Sequence, residues 1–405
     1  MGKNENIVTN ANKSGHEKRN VPTLRFREHT DEWHKFALSD FVTRITRRNK
    51  NNESSLPLTI SAQYGLVDQI TFFNKTVASV DLSGYYLLYN GDFAYNKSYS
   101  NDYAWGAVKR LDRYDKGCLS SLYFVFRPTD KVNSDYLTHY FETSKWHKGI
   151  SDIAGEGARN HGLLNIAVED YFATQHYLPS LPEQKKIANF LNLITKRIEV
   201  QNKIIEDLKI LKKELCNKVF SKGSFVRLGV LIEEVTTRNK FNAYDNVLSV
   251  SNKMGFIKQS EQFEDRTVAS ENKSNYKVVT EGCFAYNPAR INVGSIALLS
   301  TYKIGIISPM YVCFKTKSSL DSEYLNFYFQ SNVFYKELQQ KLEGSVRQCL
   351  TYENMCEIRI PYVSIEEEKE IATVLKKFVT MIATEEKYLK VLQKQKSYFL
   401  NAMFI

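Results

Sequence analysis

A self-similarity at a displacement of about 190 residues constrains this 405-residue chain more than any other feature. That displacement lays Leu38 on Leu228, Arg48-Asn49-Lys50 on Arg238-Asn239-Lys240, Gly65 on Gly255, Gln69 on Gln259 and Phe73 on Phe263. One residue further on, Gly91-Asp92-Phe93-Ala94-Tyr95-Asn96 falls on Gly282-Cys283-Phe284-Ala285-Tyr286-Asn287. At 188 residues, Gly106 meets Gly294, Gly117 meets Gly305 and Tyr136-Leu137 meets Tyr324-Leu325. The Gly157–Arg159 stretch answers Gly344–Arg347, and at 184 residues Ile187-Ala188 meets Ile371-Ala372. The drift is what loops of unequal length produce, so the chain must fold as two copies of one architecture.

Each copy opens with a mixed, strand-rich part and closes with a long helix. Apolar alternation in Leu58-Thr59-Ile60-Ser61, Leu122–Phe126 and Tyr311–Phe314, punctuated by Gly, Asn, Asp and Ser, predicts strands. Short helices are expected over Ser134–Lys148 and Ser322–Leu342. The closing helices show a 4,3 spacing. In the first, apolar residues recur at Ile187, Leu191, Ile194, Ile198, Ile205, Leu208, Leu215 and Val219, with Gln201 and Lys212 filling the two gaps. In the second they recur at Ile371, Leu375, Phe378, Ile382, Leu389, Leu392, Phe399 and Met403, with Glu385 and Lys396 at the same two heptad places.

A 3.5-residue apolar period sustained over this length predicts a coiled-coil seam; helices packed only on their own domains would carry a wider stripe. One antiparallel register would set Lys212 opposite Glu385 and Gln201 opposite Lys396. Ile187 to Val219 would then hold two homologous domains about 50 Å apart, on the order of 14 base pairs of duplex. The expected fold class is α+β: two homologous strand-rich domains separated by two long helices in an antiparallel, pseudo-twofold coiled coil.

Composition narrows the partner. A net charge of +10 with 25 Tyr and 24 Phe favours a polyanion, since basic groups release counterions from phosphates and aromatic rings suit bases. No apolar run reaches the length of a membrane span, and Met1–Asn20 lacks a signal-peptide core and a myristoylation signal. The six cysteines form no CxxC pair and read as reduced and mostly buried, so a cytoplasmic protein without a metal site is expected. Catalytic signatures are missing: there is no GxxxxGK[ST] loop and no glycine-rich nucleotide turn. Asn287-Pro288-Ala289-Arg290 departs from the Asn-Pro-Pro-aromatic site of amino-methyltransferases. All seven histidines (16, 29, 34, 139, 147, 161, 176) lie in the first copy, so duplicated halves cannot share a histidine mechanism.

Together these features resemble the specificity subunit of type I restriction–modification enzymes. The resemblance rests on Val21–Phe26 followed by Asp31-Glu32-Trp33, and on Leu181-Pro182-Glu183-Gln184-Lys185-Lys186-Ile187-Ala188 with its degenerate second copy Ile365–Ala372. Ala94–Ser100 and Tyr286–Arg290 within the domains add to it, and it covers the chain from residue 21 onward. It implies a disordered tail over 1–20, a target-recognition domain over 21–181, a central conserved helix over 182–222, a second recognition domain over 223–364 and a conserved helix over 365–405. It further implies a subunit without catalytic activity of its own. Such a subunit reads a bipartite site in double-stranded DNA and docks two methylation subunits and the restriction subunits through its helices. S-adenosylmethionine and ATP are then expected on those partners.

Candidate DNA contacts pair by the repeat. Arg47, Arg48, Asn49 and Lys50, with Arg238, Asn239 and Lys240, form basic clusters suited to phosphates. Lys97, Ser98 and Tyr99, with Arg290 and Asn292, follow the Phe-Ala-Tyr-Asn turn. Arg159 and Asn160, with Arg347 and Gln348, follow a glycine and can offer bidentate base contacts. Two rival readings are a stand-alone enzyme and a coiled-coil scaffold or DNA-binding protein outside a restriction system.

Overall fold

The computed structural model describes residues 7–9, 19–75, 78–99, 103–155, 162–252, 254–262, 272–343 and 348–405. The chain divides into two compact units. The first takes the chain up to Val200 together with Tyr388–Ile405, and the second is Gln201–Lys387. The helices Leu181–Phe220 and Ile365–Ala402 therefore each give one part to each unit.

In the first unit four antiparallel strands lie in the order Val42–Arg44, Phe124–Pro128, Phe93–Asn96, Ala107–Arg110. The second unit repeats that order with Ile232–Glu234, Val312–Thr316, Cys283–Tyr286 and Ile296–Leu298. Side-chain alternation sorts each sheet between two cores. Phe93, Tyr95, Phe124 and Phe126 join the core that holds the helices, while Ala94 and Val125 face a second core with Leu58, Ile60, Leu88 and Leu119. In the second copy Phe284, Tyr286 and Phe314 take the large-residue face, and Cys283, Ala285 and Cys313 the small-residue face. The same offset ring pair marks both units, Phe93–Phe126 at 5.6 Å and Phe284–Phe314 at 5.1 Å. Gly91 and Gly282 enter these strands at φ +87° and +84°, a left-handed turn that glycine adopts without a Cβ clash.

The second layer is a four-stranded sheet in unit two, Gly255–Lys258, Val247–Ser251, Ile304–Ile307, Lys277–Thr280, with one parallel pair. In unit one the same place is held by two antiparallel strand pairs, Leu58–Ser61 with Gly65–Asp68 and Tyr86–Tyr89 with Lys116–Leu119, joined by a parallel bridge from Pro57 to Cys118. A further two-stranded pair stands before the helices in each copy: His34–Ala37 with Gln175–Leu178, and Ser224–Arg227 with Arg359–Tyr362.

Three expectations need correcting. Residues 7–9 of the supposed disordered tail form a strand against Leu24–Phe26. Both short helices are broken in two, Ser134–Tyr140 with His147–Ile153 and Ser322–Tyr328 with Asn332–Lys341. In the second copy the break is chemical: the Ser331 hydroxyl donates to the Tyr328 carbonyl and accepts from the Phe334 amide, capping a new helix.

The third correction is the helix register. The helices do run antiparallel within each unit. In unit one Phe190 packs on Phe399 and Arg197 donates to the Tyr388 hydroxyl at 2.6 Å. In unit two Gln201 Nε2 donates to Glu385 Oε2 at 2.6 Å and Lys209 pairs with Glu386. Gln201 thus meets Glu385, its own repeat equivalent, about three turns away from the predicted pairing with Lys396. Lys212 and Lys396 leave the seam altogether. Lys212 donates to Gln330 Oε1 at 2.8 Å, and Lys396 pairs with Glu142 at 2.9 Å. A long ammonium side chain near a helix end reaches a carboxylate or amide on the adjoining domain more readily than it can be buried in a seam.

Seam residues Ile187, Leu191, Ile194, Ile205, Leu375, Leu392 and Met403 are buried. Ile198, Leu208, Leu215, Val219, Ile371, Phe378, Ile382, Leu389 and Phe399 are half-buried. The ends of the stripe enter the domain cores: Ile187, Leu191, Ile194 and Met403 in unit one, Leu375 with Cys216 and Phe220 in unit two.

Candidate nucleic-acid interface

The basic clusters divide into residues that build the loop and residues that it presents. Asn49 is fully buried; its Nδ2 donates to the carbonyls of Ser54 and Leu82, and its Oδ1 accepts from the Ser54 amide. Asn239 is buried in the same way, donating to Tyr244 and Lys273 and accepting from the Tyr244 amide. The assignment of both asparagines to DNA contact is therefore corrected. Each spends its donors and acceptor closing a five-residue loop, and burial leaves no polar atom for a ligand. Their recurrence in the sequence reflects a loop clip.

Arg47 is also committed. It pairs with the buried Asp92 at 2.9 Å, donates to the Leu87 carbonyl and lies 4.2 Å over the Tyr89 ring, while Arg127 holds the other Asp92 oxygen at 2.6 Å. Two guanidinium groups on one buried carboxylate satisfy it and hold the strands around it. Cys283 takes the place of Asp92 in the second copy, so this pairing belongs to the first alone. Arg48 is exposed, but its Nη1 donates to the Gly84 carbonyl at 2.6 Å and its guanidinium stacks 4.4 Å over Tyr86. Arg238 donates to the Asn275 carbonyl at 2.7 Å. Lys50, Arg238 and Lys240 are exposed.

The loops after the Phe-Ala-Tyr-Asn turns are shaped alike. The Asn96 carboxamide accepts from the Ser98 amide, and that of Asn287 from the Ala289 amide. In unit one the turn is joined to the chain leaving the glycine-containing loop: Tyr99 N donates to Gly162 O, and Leu164 N to Lys97 O. In unit two Leu350 N donates to Pro288 O. Two predicted loop regions some 60 residues apart in sequence are thus neighbours in both copies, a juxtaposition that no local pattern announces. Ser98, Tyr99, Arg290 and Gln348 are exposed, and Lys97 and Asn292 half-buried. Lys97 lies 4.7 Å over the Phe124 ring, and burial lowers its pKa below the ordinary lysine range. Arg159, Asn160 and Arg347, with the Gly157–Arg159 and Gly344–Arg347 stretches, lie outside the described residues.

The sequence reading passed over the residues that set the helices against the first domain. Glu183 is buried, with Arg25 bidentate at 2.7 Å and the Trp33 indole at 3.3 Å. Gln184 accepts from the Asn133 amide at 2.8 Å. From Arg110 a polar chain runs through Asp135, Asn192, His139 and Glu142 to Lys396. The His139 and Lys396 partners hold the Glu142 carboxyl at about 2 against the burial that would raise it. The available signal was the Leu181-Pro182-Glu183-Gln184 run at the helix entry, one turn before the first seam residue, Ile187.

Known proteins place this architecture. The family model described as type I restriction modification DNA specificity domain matches residues 234–394. The type I restriction enzyme MjaVIII specificity subunit of Methanocaldococcus jannaschii is 24% identical over 319 residues, 71% of this chain and 73% of that protein. The putative MjaX specificity subunit of the same organism is 26% identical over 302 residues, 69% of each. A solved chain from a study of assembly and conformational transition in a type I restriction–modification system superposes with a TM-score of 0.54 at 16% identity, covering 91% of this chain and 96% of that one. The specificity subunit of M. genitalium superposes with a TM-score of 0.53 at 14% identity, covering 95% and 99%. These superpositions speak for the fold. The sequence matches and the duplicated architecture add a likeness to the specificity subunits of type I restriction–modification enzymes.

Proposed function

We propose that this chain selects the DNA sequence for a type I restriction–modification complex, each strand-rich unit reading one half of a bipartite site. The observation that carries this reading is the repeated loop pairing: Lys97–Tyr99 beside Gly162–Leu164 in one unit, and Pro288–Asn292 beside Gln348–Leu350 in the other. Equivalent exposed polar side chains thus ride on equivalent sheets. Lys50, Lys240 and Arg238 supply phosphate contacts, and the loop side chains supply base contacts. Arg159, Asn160 and Arg347 remain candidates for the same role from the adjoining loops.

The helices dock two methylation subunits, to which restriction subunits add. Support comes from the apolar residues that the helices expose outside their seam, among them Leu193, Val200, Ile210, Leu211, Met381 and Val391. On this reading the chain catalyses nothing itself and works in the cytoplasm, and S-adenosylmethionine and ATP are used by the partner subunits. No helix among the described residues is long and apolar enough to cross a membrane.

The test is a genome-wide map of methylated adenines in a methylation-free host expressing this chain with its neighbouring methylation subunit. One bipartite motif with a fixed gap, absent without this chain, is the expected result. A stable complex that adds no methylation would reject the reading in favour of a scaffold.

A further inference from the structure

We infer that Phe241 is a DNA-inserting residue of the second unit, its ring entering the base stack while Arg238 and Lys240, just before it in the chain, hold phosphates. The inference rests on the reading that this unit binds duplex DNA. Phe241 is 98% exposed, so its ring packs against nothing that stabilises the fold. Its backbone sits at φ 60°, ψ 17°, a left-handed conformation in which a bulky side chain crowds its own carbonyl. A residue both unburied and strained is maintained only where its surroundings over-determine it.

Here they do. The buried Asn239 ties the loop to Tyr244 and Lys273, and the Asn242 carboxamide accepts from the Lys273 amide at 3.2 Å. The first copy supplies the control. Asn49 clips a loop of the same length, Asn52 repeats the left-handed turn of Asn242 at φ 50° against 51°, and Asn51 stands where Phe241 does. Asn51 itself stays out of the left-handed region, so the first loop closes with neither the strained backbone nor the phenyl group at this place. A rigidly presented ring in a loop that also carries exposed cations is how a protein wedges a base step while anchoring the backbone beside it. Because only the second copy carries it, the effect belongs to the half-site that this unit reads.

The experiment uses the full chain co-purified with its methylation subunit, and a labelled duplex carrying the mapped motif. Phe241→Asn is expected to weaken binding about tenfold or more. Phe241→Trp keeps near-native affinity. The slope of log Kd against log salt stays unchanged, since the ring neutralises no phosphate. The melting temperature of Phe241→Asn is expected to equal or exceed that of the parent, because asparagine relieves the strained backbone. Native affinity of Phe241→Asn would overturn the inference, as would a loss of affinity matched by a lower melting temperature. Native duplex binding with release of the methylation subunit would make Phe241 a protein contact instead. If the parent complex binds no duplex, the recognition reading falls and this one with it, an outcome distinct from parent binding that Phe241→Asn leaves intact.

Discussion

Gln184 and Glu368 occupy the same place in the two copies, at the entry to a long helix, and differ only in the chemistry of one terminal atom. The Gln184 amide donates to the Pro179 carbonyl at 2.9 Å while its oxygen accepts from the helix-capping Asn133. Glu368 likewise accepts from the capping Asp321 at 2.7 Å, but its other oxygen is buried with no hydrogen-bond partner among the described residues. Burial, with the Asp321 carboxylate beside it, pushes the Glu368 carboxyl up to about 7, against the pull of the Asp321 amide. Tyr324 also lies in its field, with the Lys376–Glu323 ion pair at the start of the same short helix.

Such an acid keeps its proton in the fold over a range where the unfolded chain, with a value near 4.5, has lost it. Its contribution is therefore complete below about pH 4.5 and disappears as pH rises through about 7, a swing on the order of 3 kcal/mol at most. Glu368→Gln supplies the missing donor. Thermal melts from pH 5 to 8.5 should show the variant more stable than the parent at pH 8 and without this component of the decline. Parallel curves for the two proteins would mean that Glu368 titrates as an ordinary surface acid.

At the scale of elements, a phenylalanine at or just past the end of each long helix plugs a domain core. Phe404 packs on Tyr136 and Tyr140, with ring centres 5.2 and 6.0 Å away. Phe220 packs on Tyr324 and Tyr328 at 5.0 and 5.5 Å. The two lysines that left the seam act eight residues earlier in each helix: Lys396 on Glu142, Lys212 on Gln330, again equivalent partners. The sites thus match pair for pair, apart from the exchange of glutamate for glutamine. Removing a buried phenylalanine costs about 3–5 kcal/mol through lost burial and the cavity left behind. Phe404→Ala should therefore deprotect amides of the Ser134–Tyr140 helix, and Phe220→Ala those of Ser322–Tyr328, in hydrogen-exchange mass spectrometry. Equal loss of protection in both helices for either variant would contradict this assignment.

At the scale of the whole molecule, unit one is not a contiguous stretch of chain, and unit two starts and stops inside the long helices. Unit one borrows Tyr388–Ile405, and Ala402, Met403 and Phe404 lie buried in its main core with Trp33 and Tyr136. Unit two begins in mid-helix at Gln201. Deleting residues 388–405 should consequently unfold the core around Trp33 while protection persists in the Val312–Thr316 and Cys283–Tyr286 strands. An unchanged unit one after this truncation would show that the helix end is a passive lid.

The duplication, the α+β class and the two long helices were legible because they rest on periodicities that survive in one dimension: a recurring order of residues and a 3.5-residue apolar spacing. Loop chemistry was legible only as composition. Asn49 and Asn239 looked like ligands for phosphate because burial is invisible in a string of letters, and their neighbours Lys50 and Lys240, which are presented, look no different. The register was misread for a related reason: heptad spacing says which face of a helix is apolar but not what lies opposite it. Long-range pairs such as Lys396–Glu142 depend on how two separately patterned elements dock. By itself the sequence determined the repeat, the strands' inward and outward faces and the helix stripe, because local sterics and hydrophobic period act between near neighbours. Tertiary structure alone decided which polar residues close loops and which face solvent, where Lys212 and Lys396 reach, and that Phe241 stands unburied. Those outcomes turn on desolvation and hydrogen-bond satisfaction among residues that only folding brings together.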